Sequence, residues 1–189
     1  MTNAIDRVIW TIADLNFFPD NDEKHYEIIN GDLYMTRSPH RKHQQISGLI
    51  FSLLNSWDIK MGLGETIIAP GVIFSETDSV IPDLVWISKT RLAQIEDSAG
   101  HLLGAPELVV EVISPGASQE KRDREIKLKL YSVQGVREYW IVDRFLRQVE
   151  VYRRQNAKLV LESTLFDNDV LKSPLLPEFE GNIKLFFPD

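Results

Sequence analysis

The chain has 189 residues, 43% of them hydrophobic and 26% charged, with a net charge of −7 and no cysteine. That length fits one domain around a single core, and the missing cysteines exclude disulfides, thiolate chemistry and Cys-based zinc sites. The acidic balance argues against a general nucleic-acid coat, which is normally basic, but it leaves room for an enzyme that meets nucleic acid at one local site.

At the N-terminus, MTNAIDRVIW carries Asp6 and Arg7 where a signal peptide needs a continuous apolar segment. Nor does any apolar run approach the length of a membrane span, so a cytoplasmic protein without membrane contact is expected. A first helix is predicted over about residues 11–17, closed by Pro19. HYEIINGDLYMT follows, two short strands around Asn30-Gly31, a dipeptide suited to both positive-φ positions of a type I′ hairpin. From Arg41 to Met61, the apolar residues Ile46, Leu49, Ile50, Leu53, Leu54 and Trp57 follow helical spacing, with Gly62 as the stop. ETIIAP, GVIFSE and PDLVWIS are strands set apart by Pro and Gly, and a helical turn is expected over 92–96. ELVVEVISP is a further strand, and a helix over 118–134 ends at Gly135. REYWIVD adds a strand, QVEVYRR and KLVLEST a hairpin, and short extended pieces are expected around Val170 and over 183–187. Strands surrounding two substantial helices describe a mixed α/β fold, a central mixed sheet flanked by helices, in one domain.

Three acids in this pattern need a reason. In ELVVEVISP, Glu107, Val109, Glu111 and Ile113 face one way and Leu108, Val110 and Val112 the other, so both faces are largely apolar. A carboxylate at Glu111 is expensive there unless it is paired or binds a metal. A salt bridge or an exposed strand end explains it equally well by position alone. Asp83, after Pro82 in IPDLVWIS, opens an apolar run, although turn and cap roles are commoner for Asp beside Pro. Glu27 lies on the first strand of the hairpin, where a solvated face is the plain explanation.

The helix after ELVVEVISP brings a cation. Ile126, Leu130 and Val133 form its apolar stripe, with Asp123, Lys127 and Tyr131 beside it at i, i+4 spacing. Lys127 is thus placed to reach the sheet, or else to lay its stem over apolar surface. Lys121, Arg122, Arg124 and Lys129 form a solvated face or a local phosphate-contacting patch. Carboxylates at sheet ends hold Mg²⁺ or Mn²⁺ through hard oxygen ligands, and a neighbouring lysine orients water or stabilises developing charge.

Taken in order, YEIINGDL, PDLVWIS, ELVVEVISP, KLKLY and GVREYWIVD resemble the putative restriction endonuclease domain family of the PD-(D/E)xK phosphodiesterase superfamily, from about Tyr26 to the SPLLPEF segment. The resemblance implies a restriction-endonuclease-like core and a metal-dependent endonuclease acting on DNA. It makes Asp83 the Asp of the PD element, Glu111 the acid of the next strand and Glu27 the acid of the first hairpin. The superfamily's lysine stands two residues after the strand acid, where this chain has Ile113. Lys127 matches the lysine that this family carries on the following helix. The implied site is Asp83, Glu111, Lys127 and Glu27, with Mg²⁺ or Mn²⁺ at Asp83 and Glu111.

A non-catalytic nucleic-acid-binding or protein-interaction module on the same fold is the rival. A two-carboxylate glycosidase is weaker because it leaves Lys127 without a role. Cutting both strands of a duplex favours a homodimer. His40 and His43 fit a helix start or surface position better than a metal site, and with Arg37, Arg41 and Lys42 they can form a basic lip for a nucleic-acid backbone. Tyr139 and Trp140 are core residues. No G-x-S-x-G surrounds Ser114, and neither a P-loop nor a G-x-G-x-x-G is present.

Overall fold

The structure, a computed structural model, describes residues 7–18 and 24–188. Helix α1 (Ile12–Leu15) is shorter than expected; Asp14 accepts hydrogen bonds from the Thr11 main chain and hydroxyl at its start, and Pro19 lies outside the described residues. Strands β1 (Lys24–Ile29) and β2 (Asp32–Arg37) form the anticipated hairpin, with φ of 51° at Asn30 and 74° at Gly31. His40 caps helix α2 (Arg41–Met61) by accepting the Lys42 N–H, and Gly62 ends it in the left-handed conformation.

Beyond α2 come β3 (Gly64–Ile68), β4 (Val72–Ser75), β5 (Asp78–Val80), β6 (Leu84–Ser88), α3 (Lys89–Ile95) and β7 (Leu108–Val112). The next helix has three parts: α4 (Ala117–Lys121), a π-helical segment (Arg122–Lys127) and α5 (Leu128–Gln134). Strands β8 (Glu138–Asp143), β9 (Gln148–Gln155), β10 (Lys158–Phe166), β11 (Val170–Ser173) and β12 (Leu176–Asn182) complete the chain.

Six strands make a mixed sheet in the order β10-β9-β8-β7-β6-β3, in which only β7 and β8 run parallel. The inferred alternation in β7 holds. Leu108, Val110 and Val112 pack with Ile46, Ile50, Leu54 and Trp57 of α2, while Val109 and Ile113 pack with Leu130 and Tyr131 of the other helix. Tyr139 and Trp140 of β8 are fully buried, on opposite faces. A helix and a second sheet, β2-β1-β5-β4, share the face away from α2, contributing Ile29, Val72 and Val80 to that core. Strand β5 was not anticipated; its three residues are too few to show a period of two.

Two expectations fail. Residues 183–186 form a 3₁₀ turn instead of extended chain, because Asn182 accepts the Lys184 N–H and the i, i+3 pair Ile183 and Phe186 is buried together. Val133 is 73% exposed instead of lying on the helix's apolar stripe. The buried face follows Asp123, Lys127, Leu130 and Tyr131, and Val133 stands two residues past Tyr131 on the far side.

Gly64 secures the β3 edge of the main sheet. A Cβ there would run into the Ile87 carbonyl oxygen and come within 2.8 Å of the Trp86 ring, both held in the core. Gly64→Ala is therefore expected to lower stability by about 1–3 kcal/mol, read as a drop in the urea midpoint with an unchanged m-value.

Candidate active site

Register brings the two strand acids together. Leu84 of β6 pairs antiparallel with Val110 of β7, and one further step sets Asp83 opposite Glu111. The Val112 N–H donates to Asp83 Oδ2 at 2.7 Å, tying the Asp83 carboxylate to β7. Both acids line a cleft of about 100 Å³ with Glu27, His43, Arg122 and Lys127. Asp83 is the more open, with its side chain 23% exposed.

Lys127 reaches across from the helix. Its Nζ lies 2.8 Å from Glu111 Oε1 and 2.8 Å from Glu27 Oε1. Tyr131, one helical turn on, donates its hydroxyl to the same Glu111 oxygen at 2.9 Å. Both donors use Oε1, so Oε2 takes no hydrogen bond among the described residues. Glu27 also accepts the Ile81 N–H at 2.9 Å, so this buried acid is committed to the link between β5 and β6 and to the lysine.

Burial and the nearby carboxylates of Asp83, Asp123 and Glu27 push the Glu111 carboxyl up to about 8, although the Lys127 ammonium pulls the other way. Burial by itself would lower the Lys127 ammonium, but Glu111, Glu27 and Asp123 outweigh it and raise the group above its ordinary value. Tyr131 is held well above its ordinary range by burial and by the Glu111 charge, so it stays a proton donor.

Glu138 is the instructive contrast. It is equally buried, but Trp140, Ser173 and Arg153 close around it at 2.7, 2.9 and 3.2 Å, and it does not line the cleft. A buried acid that is fully satisfied by the fold is structural. Glu111 keeps an oxygen to spare at the cleft.

Two cleft residues that the sequence placed at the surface, His43 and Arg122, are buried. His43 is buried, not superficial, with Nε2 3.2 Å from Asp83 Oδ2 and Nδ1 without a hydrogen-bond partner among the described residues. Burial would lower its imidazole, but the hydrogen bond and charge of Asp83, with Glu111 behind, raise it. The signal was present, since His43 sits three and seven residues before Ile46 and Ile50 on the same helix face. Arg122 and Asp123 are also buried, and Arg122 Nε donates to Asp123 Oδ1 at 3.0 Å. The wider π turn brings residues i and i+5 closer to one face than α-helical spacing does, and Arg122 and Lys127 both line the cleft. Tyr139 supports this segment by donating its hydroxyl to the Asp123 carbonyl at 3.1 Å. Arg124 leaves the solvated face too, pairing with Asp143 at 3.1 Å and with Glu150. Of the basic lip, Arg37 and His43 line the cleft, while His40, Arg41 and Lys42 stay exposed at the start of α2.

Four carboxylates (Glu27, Asp83, Glu111, Asp123) face two permanent cations (Lys127, Arg122), an excess of two negative charges when all are ionised. Among the described residues no three acidic or imidazole side chains gather at metal-binding spacing. Two cleft-lining carboxylates still fit Mg²⁺ or Mn²⁺, because such ions bind through one or two carboxylates and take water and substrate phosphate for the rest.

The solved structure of a putative nuclease belonging to DUF820 from Anabaena variabilis matches with a TM-score of 0.74 and 22% identity, over 94% of this chain and 97% of that one, which shows a common fold. The type IIG restriction endonuclease BpuSI matches with a TM-score of 0.39 and 16% identity, over 74% of this chain and 14% of that one. No curated protein matches. Among the described residues no helix is long and apolar enough to cross a membrane. The family model described as Uma2, putative restriction endonuclease, matches residues 12–185, and with nearly the whole sequence inside that match the chain belongs to this family.

Proposed function

We propose that the protein is a divalent-metal-dependent endonuclease that hydrolyses DNA phosphodiester bonds at the Asp83–Glu111–Lys127 cluster. The convergence of Lys127, from the helix, on Glu111, from the central strand, carries this reading. It restores a lysine to a site whose own strand has Ile113 in the superfamily's lysine position. Asp83 and Glu111 would hold Mg²⁺ or Mn²⁺. The bound ion supplies polarisation of the phosphodiester and a lowered pKa for coordinated water.

Lys127 has three N–H donors, and two are directed at Glu111 and Glu27. Its third is available to the attacking water or to a phosphate oxygen. Glu27 acts as a positioning residue, holding the ammonium together with Glu111. Tyr131, fixed as a donor, keeps Glu111 Oε1 engaged, so that Oε2 would be the oxygen left to hold an ion. Cleavage of both strands of a duplex would be served by two copies of the chain, each offering one site.

Supercoiled plasmid is the direct test. Wild-type protein is expected to nick it with Mg²⁺ or Mn²⁺ and to lose that activity in EDTA. Asp83→Asn should slow nicking by about 10²–10³-fold. Cutting at equal rates by wild type and Asp83→Asn would overturn the assignment. Duplex binding without cutting under any metal would favour the non-catalytic binding module.

A further inference from the structure

Arg122 is a buried cation at the cleft, and among the described residues its hydrogen-bonding capacity is mostly unspent. A guanidinium has five N–H donors in a planar fork. Here Nε donates to Asp123 Oδ1, while Nη1 stands 3.7 Å from Glu27 Oε2, beyond hydrogen-bond reach. No other hydrogen bond involves this side chain among the described residues. Buried polar groups are nearly always satisfied, and charged ones most of all. Yet Arg122 is only 9% exposed, and what exposure it keeps is in the cleft, beside Asp83, Glu111 and Lys127.

The backbone reinforces this. The π-helical segment gives up regular α-helical hydrogen bonding, and π turns recur at functional sites. Its effect here is to bring Arg122 and Lys127 closer to one face. For holding the core together a leucine would serve better than a half-satisfied guanidinium. Asp123 and Glu27 flank the group without saturating it, which holds it in place with donors to spare at the cleft it lines.

We propose that Arg122 is a phosphate ligand, gripping non-bridging oxygens of the DNA backbone next to the scissile bond. Bidentate Arg–phosphate contact is the geometry a guanidinium fork is suited to, and it adds charge neutralisation at the one place where a polyanion meets four carboxylates. This inference rests on the nuclease reading. Lys127 is already divided between two acids, so Arg122 supplies the donors that hold the substrate in register.

The test is binding of a fluorescent 20-base-pair duplex in EDTA, followed by anisotropy across a salt series, alongside plasmid nicking. Arg122→Ala is expected to weaken binding about tenfold and to reduce the slope of log K against log salt by about one, the signature of one lost phosphate contact. Arg122→Lys keeps the charge and should keep the slope, yet nick at least about tenfold more slowly because the fork is gone. Folding of each variant is checked by its melting temperature. Should a folded Arg122→Ala keep the wild-type slope and affinity while wild type cuts, the Arg122 assignment falls and the nuclease reading stands. Should wild type neither bind nor cut the duplex, both fall.

Discussion

Lys127→Met is expected to abolish measurable plasmid nicking, a loss of at least about 10²–10³-fold, and to destabilise the protein by about 3–5 kcal/mol. The two losses have one cause. The buried ammonium sits 2.8 Å from both Glu27 and Glu111, so its removal leaves two buried carboxylates with only the Arg122 guanidinium, 3.7 Å from Glu27, as a nearby counter-charge. The fold can relieve that only by protonation. Without Lys127 the Glu111 carboxyl rises further above the 8 it already approaches, so the folded state keeps a proton that the unfolded chain releases above its ordinary value of 4.5. Stability of the variant therefore falls as pH rises, and urea denaturation should show a small deficit near pH 5 and a large one near pH 9. Lys127→Arg keeps a charge but not the compact ammonium, and should recover stability more than activity. Full nicking by a folded Lys127→Met would remove the lysine from the mechanism.

Glu111→Gln separates function from stability. Its nicking should be lost as completely as that of Lys127→Met, because a carboxamide is a poor ligand for a hard cation. Its stability should move the other way. In the wild type the folded-state carboxyl is raised to about 8 from 4.5, so wild-type stability drops as pH climbs between those values. The glutamine does not titrate, so the variant's profile should fall less steeply there, keeping only the slope from the raised Asp123 carboxyl and His43 imidazole, and lie above that of the wild type at pH 8. Lys127 does not obscure the comparison, since its raised pKa contributes stability that is lost only above pH 10.5. Added Mn²⁺ should raise the wild-type melting temperature at pH 8, by linkage to the folded state, and leave Glu111→Gln unmoved. A wild type that is equally stable at pH 5 and pH 8, or a Gln variant that still responds to Mn²⁺, would contradict this account.

The elements of the fold were legible because their cues are local. Asn30-Gly31 announces a type I′ turn through two positive φ values, and the spacing from Ile46 to Trp57 announces one face of α2. In β7 the alternation could be read from the residues alone, since a period of two needs no knowledge of neighbours. Val133 and residues 183–186 were misjudged for a related reason. Apolar character says that a residue can be buried, whereas the phase of a helix or the cap at Asn182 says whether it is.

The cluster divides along the same line. That Glu111 needed a partner followed from one buried charge in an apolar strand, and Lys127 was on the helix that follows it. Which oxygen meets which donor, and that Tyr131 joins them, depends on how that helix lies over β7 and β8. Asp83 faces Glu111 only through the antiparallel register of β6 on β7, a pairing between segments 29 residues apart in the hydrogen bond that ties them. Arg122 was the hardest to see. Local sequence assigns it to a solvated face, and a π turn carries no residue signature. It takes the packing of Tyr139 against that turn, together with the buried pairing of Asp123 and Lys127, to rotate a guanidinium out of solvent and into the cleft.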